Sequence, residues 1–171
     1  MGGRTFERRN GMIYILIVVV FVLMEHKIKS YIDKNRSLEE CKELFGGKII
    51  IRKFYNKGAM LNFMENKKEL VKAFSCACLG LLLLLFVFAL PGKNNRLYKL
   101  GLSLILGGAI SNVADRCFKG HVVDYFTINY KKLKTVIFNL ADFAIFFGAF
   151  FVLLSSVLST ICKGGADKAI K

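Results

Sequence analysis

Three aspartates in the second half of the chain, Asp115, Asp124 and Asp142, stand in stretches that are otherwise poor in acids: NVADRC, HVVDYF and FNLADFAIFF. Eight of the twelve Asp and Glu residues precede residue 70, and the only other late acid is Asp167 in the tail. A carboxylate at the centre of a membrane span costs about 2.5 to 3.5 kcal/mol on insertion scales, less near an interface. Such a group is expected to face a cavity or a partner. Two carboxylates brought together in a poorly solvated site share a proton and titrate as a pair. One can then take a proton from a bound water while the other donates to the carbonyl oxygen of a scissile peptide, which is aspartic-protease chemistry without metal or nucleophilic side chain.

Polar companions sit at helical spacing. Asn139 lies three residues before Asp142, on the same helix face, and Asn112, Asp115 and Arg116 gather on about one turn. Structural alternatives remain. Asp115 has Arg116 beside it as an ion-pair partner, and Asp142 could cap a helix end or pair with Lys131, Lys132 or Lys134. Proton paths in transporters also use such acids.

The elements that must carry these residues are legible from hydropathy. Of the 171 residues, 54% are hydrophobic, in blocks rather than dispersed, and there is one Pro. A spanning helix needs about 20 mostly apolar residues, and four segments approach this: about 11–30, 73–90, 97–114 and 136–158. We read an all-α integral membrane protein, residues 1–171 forming a single membrane domain. The first span reads as an uncleaved anchor, because Glu25-His26-Lys27 follows it without a small-residue cleavage site. Between the first and second spans, residues 31–72 are expected to form a small exterior β element. Within that segment Ser37-Leu38-Glu39-Glu40 reads as a capping box opening a short helix that Gly46-Gly47 would end. KIIIRKFYN (48–56) reads as a strand, and 64–74 as a charged helical run. Gly107 and Gly108 would allow close helix packing in the third span. The third and fourth spans, antiparallel, would bring their polar ends to one side, where Asp124 can swing toward Asp142.

Lys and Arg near span ends set orientation. Arg4, Arg8 and Arg9 precede the first span, Lys93, Arg96 and Lys99 fill the short 91–99 connection, and Lys163, Lys168 and Lys171 follow the last. Both termini are therefore expected to be cytoplasmic. The long 25–72 stretch, with twelve basic residues against seven acids, is discounted because long loops cross with less regard to charge. The formal net charge of +14 is spread over loops on both sides, so membrane lipid headgroups rather than nucleic acid are the expected partner. Five cysteines make neither an even disulfide framework nor a four-ligand metal set, and Cys76 and Cys78 read as small buried apolar residues. With two histidines at no paired spacing, an HExxH zinc hydrolase is excluded. No cofactor is implied.

At these residues the sequence resembles the lipoprotein signal peptidase (signal peptidase II) family, four-span aspartic proteases that cleave lipid-modified prolipoproteins. The likeness runs from about Tyr14 to Val157. LGGAISNVADR is similar to the family's Gly-Asn-x-x-Asp-Arg block with Ser111 for the Gly beside Asn112, GHVVDYF to its Val-x-Asp-Phe block with Tyr125 for Phe, and FNLADFAI to its Phe-Asn-x-Ala-Asp block. Two earlier blocks are looser. Glu25-His26-Lys27-Ile28-Lys29 stands for Asp-Gln-x-x-Lys, and Asn56-Lys57-Gly58-Ala59-Met60-Leu61 for Asn-x-Gly-Ala-Ala-Phe. The proline commonly found just before Phe-Asn is absent.

The resemblance implies that Asp124 and Asp142 are the catalytic pair. Asn56, Gly58, Asn112, Arg116, Asn139, Lys29 and Asp115 would then bind substrate or organise the site. The implied substrate is a precursor whose cysteine carries diacylglycerol, cut just before that cysteine. The implied location is the exterior face of a bacterial cell membrane. A proton-coupled transporter and an inactive, binding-only family member are the alternatives.

Overall fold

The computed structural model describes residues 2–58, 64–92 and 96–169. Four helices carry most of the chain: α1 (Gly2–Asn35), α2 (Lys68–Ala89), α3 (Arg96–Phe118) and α4 (Leu140–Ala169). Each contains a stretch long and apolar enough to cross a membrane, Gly11–Asn35, Glu65–Ala89, Arg96–Phe118 and Leu140–Cys162. The α2 stretch includes the 3-10 turn Glu65–Lys67 that leads into it. The chain is a multi-pass membrane protein. Half of the most apolar window of α3 is buried inside the protein, against 11 to 17% for the other three. α3 is therefore the central helix, and the outer faces of its neighbours are left exposed.

The sheet is larger than expected. Strands β1 (Cys41–Leu44), β2 (Ile49–Asn56) and β3 (Val122–Ile128) form an antiparallel sheet in the order β1-β2-β3. The third strand comes from the connection between α3 and α4, not from the α1–α2 segment. It is mostly buried along its length, so it lacks the half-polar alternation that marks a surface strand. The capping-box expectation fails. Residues 37–40 form no helix, Glu40 is engaged by Arg36, and the following residues are β1, paired with β2 from Cys41↔Arg52 to Leu44↔Ile49. Gly46 and Gly47, at φ 66° and 80°, turn the hairpin instead of ending a helix. Left-handed backbone of this kind is what glycine accommodates without steric cost.

Two apolar clusters hold the helices. Tyr14, Val18, Phe86, Ala89, Leu102 and Leu106 pack one end of the bundle, and Ile32, Val123 and Tyr125 seat the sheet on α1 at the other. At the first end Lys99, buried in the opening turn of α3, donates to the Leu90 and Gly92 carbonyls, each at 2.8 Å, and so closes the end of α2. Glycines bring α3 against its neighbours. A Cβ on Gly107 would sit 3.1 Å from the Phe21 ring of α1, and one on Gly108 would sit 2.5 Å from the Ala141 carbonyl of α4. The latter contact fixes α4 one residue before Asp142. Cys76 and Cys78, expected to be buried, are exposed. The reason is that lipid is as apolar as a protein core, so a small apolar side chain on a span can face outward.

The fourth helix begins at Leu140, later than the expected 136. Residues 136 to 138 run extended, and Phe138 is tied to β3. Its N–H donates to the Phe126 carbonyl at 2.7 Å, and its own carbonyl accepts from Tyr125 and Phe126 at 2.9 and 3.0 Å. This bridge draws the start of α4 to the strand that carries Asp124.

Candidate active site

Asp124 lies mid-strand on β3, opposite Phe54 of β2, while Asn56 pairs with Val122. Side chains alternate between the faces of a strand, so Asp124 and Asn56 are diagonal neighbours on one face. The Asn56 amide donates to Asp124 Oδ2 at 3.0 Å. Tyr125, next in sequence, points the other way into the cluster against α1.

Asn139 is the N-cap of α4. Its Oδ1 accepts from the Asp142 N–H at 3.0 Å, and the Asp142 carboxylate reaches back to the Asn139 N–H at 3.1 Å. That is a capping box closed by Asn and Asp. The helix-cap alternative for Asp142 therefore holds, and it holds together with the site reading. One carboxylate oxygen caps, while Oδ1 accepts from the Asn112 amide at 3.0 Å. The Asn139 side-chain amide meanwhile donates to Asp124 Oδ1 at 2.6 Å. A single asparagine, with no exposed surface, bridges the two aspartates.

Asn112 ties the pair to the interior. Its Oδ1 accepts from Asn139 at 3.2 Å and from Lys29 Nζ at 2.8 Å. Lys29 is 1% exposed and also donates to Ser111 Oγ at 3.1 Å and pairs with Asp115 at 3.0 Å. Asp115 accepts a second cation, Lys119, at 3.1 Å. The expected Asp115–Arg116 pair is not what holds Asp115. Consecutive helical residues point about 100° apart, so Asp115 turns to α1 while Arg116 turns to the loop after β2. There Arg116 Nη2 donates to the Gly58 carbonyl at 3.0 Å, and the Gly58 N–H donates to Asn56 Oδ1 at 3.1 Å. Met60 and Leu61, departures from the family pattern, lie outside the described residues.

Asn56, Asn112, Arg116, Asp124 and Asp142 line one cavity of about 220 Å³, whose other walls include Val122, Val136, Ile137, Phe138 and Ile145. Lys29 and Asp115 stand behind it. Asp124 is 2% exposed. Burial, reinforced by the Asp142 charge, pushes its carboxyl up to about 7, against the opposing pull of the Asn56 and Asn139 hydrogen bonds. A group so poised can hold a proton near neutral pH and give it up in a reaction. Among the described residues no group of three or more His, Cys, Asp or Glu side chains is placed to hold a metal ion.

Four spanning helices, a small sheet at one end and an asparagine-bridged aspartate pair in a cavity define a polytopic membrane protein built around a carboxylate site. The family model for signal peptidase (SPase) II matches residues 16–158. A lipoprotein signal peptidase of Nostoc punctiforme is 32% identical over 158 residues, covering 92% of this chain and 96% of its own. One from Lactiplantibacillus plantarum is 30% identical over 145 residues, covering 83% and 92%, and one from Halalkalibacterium halodurans is 29% identical over 147 residues, covering 85% and 92%. A solved bacterial membrane enzyme superposes with a TM-score of 0.76 at 24% identity, over 86% of this chain and 88% of that one. The chain belongs to the signal peptidase II family and is a peptidase.

Two participants were visible in the sequence only as departures from the family pattern. Glu25 is completely buried, and the Tyr125 hydroxyl donates to it at 2.9 Å.

Proposed function

We propose that this chain is an aspartic endopeptidase of the bacterial cytoplasmic membrane. It removes signal peptides from diacylglyceryl-modified prolipoproteins by cutting before the lipidated cysteine. The observation that carries this reading is the Asn139 bridge between Asp124 and Asp142, on the wall of a cavity that also presents Arg116 and Asn56. The site lies at the end of the bundle that holds the sheet, opposite the start of α1 and the far end of α4. With the basic residues of the termini and the 91–99 connection facing the cytoplasm, it opens at the exterior interface.

Asp124, deeply buried and holding a proton near neutral pH, is the acid. Asp142, only partly buried, is the base. Asp142 takes a proton from water as its oxygen attacks the scissile carbonyl, and Asp124 protonates the carbonyl oxygen. Collapse of the tetrahedral diol returns that proton to Asp124, while the proton on Asp142 goes to the departing cysteine nitrogen. Arg116, Asn56 and Gly58 form the rim that orients the substrate backbone. Lys29 and Asp115 hold Asn112 in place.

The substrate class is tested by incubating purified protein with two precursors. One carries diacylglycerol on its cysteine, and the other has that cysteine changed to serine and no lipid. Release of the signal peptide from the first alone is expected. Equal cleavage of both would contradict the assigned lipid requirement, and proton flux without cleavage of either would favour a transporter.

A further inference from the structure

The first turn of any helix leaves backbone N–H groups without partners inside the helix, and at a membrane site water is not freely available to satisfy them. In α4 the third of these, on Asp142, goes to the Asn139 cap. The first two are met by a different pair. The Leu140 N–H donates to the Tyr125 hydroxyl at 3.1 Å, and the Ala141 N–H donates to Glu25 Oε1 at 3.4 Å. The Tyr125 O–H then donates to Glu25 Oε2 at 2.9 Å, closing a ring of three elements: α1, β3 and α4. Lys29 stands one helical turn from Glu25 with its Nζ 3.9 Å from Oε1, so the carboxylate has a cation on one side and the positive end of α4 on the other.

The placement of this ring matters more than its strength. Tyr125 follows Asp124 in the chain, and Leu140 and Ala141 immediately precede Asp142. The ring therefore joins the backbones of both aspartates from the side away from the cavity. Phenylalanine at 125 would leave the Leu140 N–H without its acceptor and Glu25 Oε2 without its donor. Aspartate at 25 would be one methylene short of reaching both partners from α1. Burial and the Glu25 charge push the Tyr125 phenol up, which keeps it a donor at any pH the protein meets.

We infer that Glu25 and Tyr125 act as one positioning pair, a buried clamp that sets the separation and orientation of Asp124 and Asp142, each partner depending on the other. Neither touches substrate. The inference rests on the catalytic assignment above only for its kinetic consequence, because the ring itself can be observed without activity.

The test compares wild type, Tyr125→Phe, Glu25→Asp and the double variant, each purified in full length. Cleavage of a diacylglyceryl-modified precursor and hydrogen exchange of the 138–143 backbone amides are measured. Each single variant is expected to lower kcat about tenfold, as loss of a buried hydrogen bond to a charged group implies, with KM within about twofold because the cavity rim is untouched. Exchange at Leu140 and Ala141 is expected to quicken. The double variant should lose no more than the worse single, since the two partners of one bond are removed together. Unchanged exchange and kcat in Tyr125→Phe, or a double variant whose loss is the product of the singles, would overturn the pairing. If wild type itself fails to cleave, the proposed activity falls. The clamp is then decided by exchange alone, faster at Leu140 and Ala141 in both singles if it exists and unchanged if it does not.

Discussion

The Asn139 side-chain amide donates to Asp124 Oδ1 at 2.6 Å while the same residue caps the helix that begins with Asp142. Cap and bridge are separate tasks with different magnitudes. Loss of an N-cap costs about 1 kcal/mol of stability. Misplacing two reacting groups can cost about 100-fold in rate. Asn139→Ala is therefore expected to lower the melting temperature by a few degrees and single-turnover cleavage by about 100-fold or more. A variant that cleaves at the wild-type rate would show that the bridge does not organise the pair.

The raised Asp124 carboxyl gives the pH dependence a definite sign. Aspartate ordinarily titrates near 3.8, and here burial pushes the folded-state value up to about 7. The folded protein keeps a proton that the unfolded chain has lost, so folding weakens as pH rises between those values. With Asp124 as the proposed acid, cleavage should fall as pH rises through about 7. Relative to Asp124→Asn, wild type should lose melting temperature between pH 5 and 8. A rate still rising at pH 9 would contradict the acid role.

Lys29 is the cation of a buried cluster, 3.0 Å from Asp115 and in hydrogen-bond contact with Ser111 and Asn112. Removing one member of a buried pair typically costs about 3 to 5 kcal/mol, because the remaining charge is left uncompensated. Lys29→Met should therefore be strongly destabilised, and adding Asp115→Asn should recover part of the loss. Thermal unfolding of the two variants in the same detergent measures this. No recovery in the double would mean that Lys29 acts through other partners.

Gly108 meets α4 where the backbone leads into Asp142. A Cβ there would come within 2.5 Å of the Ala141 carbonyl, so Gly108→Ala must push α4 outward. Overpacking of this kind costs about 1 to 3 kcal/mol, and activity is expected to fall more than folded yield. Wild-type kinetics in Gly108→Ala would show that α3 and α4 do not meet as described.

The spans, the strand Ile49–Asn56 and the two acids that line the cavity are legible because each is written locally, as an apolar block, a β-branched run or a charge in grease. What escaped depends on distant partners. β3 reads as part of a loop because VVDYFTI is buried on both faces and gains its identity only by pairing with β2. Residues 37–40 carry a capping pattern, yet Arg36 engages Glu40 and the sheet takes the residues that follow. The sequence sets Asp115 beside Arg116, whereas the fold gives it Lys29 from 86 positions away and Lys119. Glu25 and Tyr125, 100 positions apart, look like two unrelated departures until the fold sets them in contact.

The central claim, that Asp124 and Asp142 form one catalytic unit, is tested most directly by single-turnover cleavage of a diacylglyceryl-modified precursor by wild type, Asp124→Asn, Asp142→Asn and the double variant. Residues that act as a unit are non-additive. Each single variant is predicted to abolish detectable release of the signal peptide while remaining folded, and the double is predicted to be no worse than either. Cleavage by either single variant at a rate close to wild type would contradict the account.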